Sequence, residues 1–150
     1  ILVYVCIFCF WTWSWMFWLA HIRGYFIAGS LSLILIAQFL LYFAYAVISS
    51  TVVLATKDLP KTFGFIALYG GSSPSFSGIT LPLNNAPAFT QFWSMIIPYT
   101  PYAKLQTEQW VIGSDISVSL IPFGILVIFS ALYLGLSIRL LKKNIQEQNQ

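Results

Sequence analysis

The chain is 150 residues long, 59% hydrophobic, 18% aromatic and only 7% charged, with a mean hydropathy of +0.82. A soluble domain carries roughly a quarter charged residues, so this composition excludes a self-contained water-soluble globule and leaves the bilayer as solvent, with room for several spans of about 20 residues. The net charge of +3 comes from basic residues spread along the chain and mostly flanking apolar runs, which is a topology signal and not a nucleic-acid one.

The first span runs from Ile1 to about residue 20. It starts without Met inside an apolar run, so a longer chain is expected; no basic n-region or small-residue cleavage site marks a signal peptide. Cys6 and Cys9 form a C-x-x-C, but both sit mid-run on one helical face and read as packing residues. Trp11, Trp13, Trp15 and Trp18 crowd the end of the span, the composition of a headgroup-level belt. His21-Ile22-Arg23-Gly24-Tyr25 then predicts a tight turn. A second span, about 26–56, is longer than the roughly 30 Å hydrocarbon core requires. Gln38 lies in its middle, and an amide there wants a partner on a neighbouring helix or faces a cavity.

Lys57-Asp58-Leu59-Pro60-Lys61 turns the chain, and Pro60 ends one helix or opens the next. The third span, about 62–81, is interrupted by Gly70-Gly71-Ser72-Ser73-Pro74-Ser75, small residues and a proline that belong against protein or a cavity, away from lipid. An external insert, about 82–112, follows. Asn84-Asn85-Ala86-Pro87 is a turn by composition. Phe89, Phe92, Trp93, Ile96 and Ile97 fall at helical spacing in a segment too short to span, which predicts an interfacial helix stopped by Pro98. Tyr99 to about Trp110 also reads as interfacial. The last span, about 115–141, carries Pro122 and the small-x-x-x-small pair Ala131 and Gly135. Lys57, Lys61, Arg139, Lys142 and Lys143 fall on one side and Arg23 and Lys104 on the other, so the C-terminus is expected in the cytoplasm and the insert outside.

The fold expected is therefore all-α integral membrane: four transmembrane helices with a short extracytoplasmic re-entrant or interfacial helical insert. Catalytic constellations are missing from the sequence. There is no P-loop, no H-E-x-x-H, no G-x-S-x-G, a single His (His21), and no metal set is expected. The four acidic residues are scattered and none lies centrally in a span, which disfavours a proton relay.

The order Pro74, Ser77-Gly78-Ile79-Thr80-Leu81-Pro82, Ala86-Pro87-x-x-x-Gln91, a short aromatic helix, then Ile97-Pro98-x-x-Pro101-Tyr102 and a last span with a basic tail resembles the C-terminal half of ABC-2 type transporter permeases. The resemblance covers the chain as spans three to six of six. Ala86 stands where many members have Met, and the 57–61 loop is short for the family. What the resemblance implies is the permease subunit of an ATP-driven exporter, not itself an enzyme. Its partners would be an ABC ATPase subunit, a second permease half and the lipid bilayer, with no nucleic acid. The chain would bind no cofactor; ATP and Mg would sit at the partner ATPase. The cell would be bacterial and the site of action its inner membrane. Gln38, Ser73, Pro74, Ser77, Gly78, Pro82 and Pro87 are the residues expected at the substrate path or its outer gate. A non-transporting membrane scaffold or assembly protein is the alternative that the residues leave open.

Overall fold

A computed structural model describes residues 1–79 and 83–148. The described residues are helical, with no strand among them: α1 (Leu2–His21), α2 (Leu31–Thr56), α3 (Leu59–Phe76), a 3₁₀ turn (Leu83–Asn85), α4 (Ala88–Ile96), α5 (Tyr99–Thr107) and α6 (Ile116–Gln148). Three of these helices, α1, α2 and α6, are long and apolar enough to cross a membrane. α3 is not among them, because its last two turns carry the Gly70–Ser75 run.

Each break has a local cause. α1 ends where Gly24 takes φ +71°, and Tyr25 N–H returns to the Leu19 carbonyl at 3.2 Å. α2 begins at Leu31, five residues later than hydropathy suggests, because Ser30 caps it and the preceding backbone is used elsewhere (below). Lys57 closes α2 in the left-handed region at φ 52°, and the Asp58 carboxylate then caps α3 by accepting from Lys61 N–H at 3.1 Å. That bond and the Lys61 ammonium, 3.0 Å from the carboxylate, hold the Asp58 carboxyl below its ordinary 3.8. Between α4 and α5 the chain extends at Ile97 (φ −98°, ψ 121°), the conformation that a following proline imposes. α4 itself opens at Pro87. The Gln91 amide, one turn on, donates to the Ala86 carbonyl at 3.0 Å, so the Ala86-Pro87-x-x-x-Gln91 spacing closes the turn onto the helix that follows.

α2 is the hub. α6 packs beside it in parallel, and Leu126, fully buried, meets Ile34, Ala37 and Leu41. Further along, Asn144 donates to the Leu54 carbonyl at 3.0 Å and Glu147 pairs with Lys57 at 2.9 Å, so the basic tail and the 57–61 loop share one end of the bundle. α1 touches α2 through a narrow stripe, Val5, Cys9 and Met16. Cys9 is buried there while Cys6 faces outward, so the two thiols do not share one buried face.

The segment between α3 and α6 differs from a helix lying along the surface. α4 does expose Phe89, Phe92 and Met95. Its far end, however, is tucked in: Ile97 is fully buried against Ile48, in the second half of α2, and Tyr69 of α3, and the Tyr69 hydroxyl donates to the Ile96 carbonyl at 2.7 Å. α5 then climbs back along α2, burying Tyr102 and Leu105 on Ile34, Ala37 and Leu41. The aromatic and charged residues of 99–110 suggest an interface, but the face that carries Tyr102, Leu105 and Gln109 is the one that packs. α4 and α5 thus form a V with its apex at Ile97-Pro98 inside the helical bundle.

Candidate functional site

α5 separates two cavities because its polar side chains lie on two faces. Tyr99, Tyr102 and Gln106, three and four residues apart, face α1 and α2; Thr100, Lys104 and Thr107 face the other way.

On the first face a cavity of 590 Å³ opens between α1, α2, α3 and α5. Tyr4 and Phe8 of α1 border it, α2 supplies Gln38, Tyr42 and Tyr45, α3 supplies Ser73 and Pro74, and α5 supplies Tyr99, Tyr102 and Gln106. No Asp, Glu, Lys or Arg lines it. Tyr45 and Ser73 share a hydrogen bond of 2.6 Å, and Ser73 also donates to the Tyr69 carbonyl at 2.8 Å, so this wall is internally satisfied. Gln38 is different. It is 6% exposed, and its Oε1 is buried without a hydrogen-bond partner. A second cavity of 380 Å³, walled by Trp15, Tyr25 and Trp110, meets the first at Gln38 and Gln106.

On the second face a separate 590 Å³ cavity is lined by Ser77, Gly78, Thr100, Lys104, Thr107 and Glu108. Thr100 Oγ1 is the other partnerless buried side-chain oxygen among the described residues.

The seven residues expected at a path or gate are thus divided. Gln38, Ser73 and Pro74 line the first cavity. Ser77 and Gly78 line the third, Gly78 turning the chain at φ +84°. Pro87 opens α4 and borders none of these cavities. Pro82 lies outside the described residues.

A further polar cluster went unanticipated. α5 continues through a π-helical turn, Glu108–Ile112, ended by Gly113 at φ +70°. Its Gln109, fully buried, accepts from Ser30 N–H at 2.8 Å through Oε1 and donates through Nε2 to the Ser114 carbonyl (3.0 Å) and Ser119 Oγ (2.9 Å). Ser119 Oγ donates in turn to the buried Glu108 carboxylate at 2.7 Å. The Gly29 and Ala28 N–H groups bond the Gln109 and Trp110 carbonyls at 2.7 and 3.2 Å. This cluster latches the α1–α2 connection to the start of α6. Gly29 permits it: a Cβ there would stand 2.4 Å from Gln109 Oε1 and 2.8 Å from its carbonyl oxygen. A glycine pair, Gly29 and Gly113, flanking polar residues next to apolar runs was the available sequence signal.

No protein-family model matches the chain, and no curated protein or solved structure matches it either.

Proposed function

We propose that the chain is the membrane-spanning permease part of an ATP-driven exporter of the ABC-2 type, with hydrolysis supplied by a partner ATPase. The observation that carries the reading is the V of α4 and α5 inserted between α3 and α6, hinged at Ile97-Pro98 and closed at its entrance by the Pro87–Gln91 turn. A proline-hinged pair of short helices packed inside a bundle is a suitable gate: it can tilt without breaking a long helix. In this reading α3 is a fourth, incomplete crossing that carries the chain to the outer half of the membrane, where the V begins. The five basic residues at the shared end of α2, α3 and α6 face the cytoplasm of a bacterial cell. A second permease half completes the path.

The test is purification of the full-length protein from its native membrane. An ATPase subunit or domain carrying a P-loop is expected to accompany it, and inside-out vesicles are expected to accumulate a fluorescent amphiphile only with ATP. Absence of any associated ATPase, together with ATP-independent distribution of the dye, would overturn the exporter reading and leave the scaffold. Cysteine placed at Gln148 should label only after the membrane is permeabilised; labelling of intact cells would reverse the topology.

A further inference from the structure

We propose that the cavity around Gln38 is a binding site for a neutral amphiphile, whose hydroxyl or amide head hydrogen-bonds to Gln38 and whose apolar body lies among Tyr42, Tyr45, Tyr99 and Tyr102. The inference goes beyond the exporter reading and does not rest on it.

Four observations converge. Gln38 is buried to 6% exposure with Oε1 unpartnered, and that atom belongs to a residue walling both the 590 and the 380 Å³ cavities. A buried amide oxygen without a partner carries a desolvation cost that a ligand donor removes. Secondly, the lining holds no charged side chain, so a charged head would be stranded in low dielectric whereas a neutral head is matched. A hydroxyl fits best: it donates to the amide oxygen once rotation of the amide turns that buried atom toward the cavity, and otherwise accepts from the amide nitrogen. Thirdly, the tyrosines offer ring faces to an aliphatic or aromatic body, and the volume lies in the range of about 300–1,000 Å³ common to small-molecule sites. Finally, the wall toward α1 is thin. Tyr4 and Phe8, which border the cavity, are 69% and 58% exposed, so the cavity is not sealed along α1 and a molecule dissolved in the bilayer has a lateral way in.

The experiment uses the full chain in lipid nanodiscs, without ATP, and dodecanol carrying a diazirine on its chain. After illumination, mass spectrometry locates the adducts. Labelling is expected on Tyr42, Tyr45, Tyr99 or Tyr102, competed by excess dodecanol and not by dodecane. Gln38→Leu keeps the volume and removes the amide; it should lower labelling of those tyrosines about fivefold, the loss of one neutral hydrogen bond. Labelling of the outward-facing Phe63 and Phe92 should not change. Ala46→Phe, at a residue lining the same cavity, should abolish the tyrosine labelling by filling the space, and serves if the leucine variant does not fold. Equal labelling of wild type and Gln38→Leu, or competition by dodecane as strong as by dodecanol, would overturn the proposal: the cavity would then be filled by acyl chains or by water without recognition of a head. Because no transport is measured, this result and the ATPase test succeed or fail separately.

Discussion

Two buried glutamines on neighbouring helices do opposite things. Gln109 is fully enclosed and fully used: one carbonyl oxygen and both amide hydrogens have partners in three different segments of the chain. Gln38 is nearly as buried and lines the open volume, yet its oxygen has no hydrogen-bond partner. The same side chain is therefore a structural pin at one end of the bundle and a recognition group in its middle. Satisfaction of hydrogen bonds, and not burial or polarity, is what distinguishes the two. Removing a used amide leaves its partners stranded, whereas removing an unused one relieves a cost.

The largest effect that this contrast predicts is Gln109→Leu. It strands the Ser30 N–H and the Ser114 carbonyl and frees Ser119, and should cost about 3 kcal/mol, from roughly 1–3 kcal/mol per stranded group. Thermal unfolding in detergent, followed by helical circular dichroism, would check it. Gly29→Ala comes next. The added methyl meets the Gln109 carbonyl oxygen, a backbone atom that cannot move aside cheaply, so a loss of about 2 kcal/mol is expected by the same assay. An unchanged melting temperature in either variant would mean that the latch does not hold the bundle. A smaller effect belongs to Asp58. Its carboxyl titrates below 3.8 when folded because the Lys61 N–H and ammonium favour its charged form. It therefore contributes stability that is present above the unfolded value and lost as the pH falls through the lower folded one. The melting temperature should drop on acidification below about pH 4, and Asp58→Ala should flatten that part of the curve. The smallest stability effect is Gln38→Leu, within about 0.5 kcal/mol of wild type or slightly stabilising, since no protein partner of its oxygen is stranded. A large destabilisation there would erase the contrast with Gln109.

Much of the architecture was legible because hydropathy is local. Three of the four expected spans correspond to helices able to cross a membrane, and the end of α4 at Pro98 follows from proline chemistry alone. The start of α2 was misplaced because 26–29 are apolar but the backbone N–H groups of Ala28, Gly29 and Ser30 are taken by Gln109 and Trp110, some 80 residues away. α5 was placed at the surface because Tyr102, Lys104, Glu108 and Trp110 have interface chemistry. Which of its faces meets α2 depends on the depth to which Ile97 carries the chain, and no local pattern encodes depth. Gln38, Ser73 and Pro74 were marked by polarity and by helix-breaking chemistry, and they do meet in one cavity. The Tyr99, Tyr102 and Gln106 face opposite them is also present at helical spacing, but Lys104, Glu108 and Trp110 beside it carry the chemistry of a headgroup interface and mask it.

By itself, the sequence determined that the chain is helical, that three of its helices are long and apolar enough to cross a bilayer, that prolines and glycines punctuate it and which end collects positive charge. These follow from composition, proline and glycine, all of which act within a few residues. Only the tertiary structure decided which buried amide is spent and which is free. That outcome depends on what stands opposite each one, Ser30 and Ser119 for Gln109 and open space among tyrosines for Gln38, and those neighbours come from helices far apart in the chain.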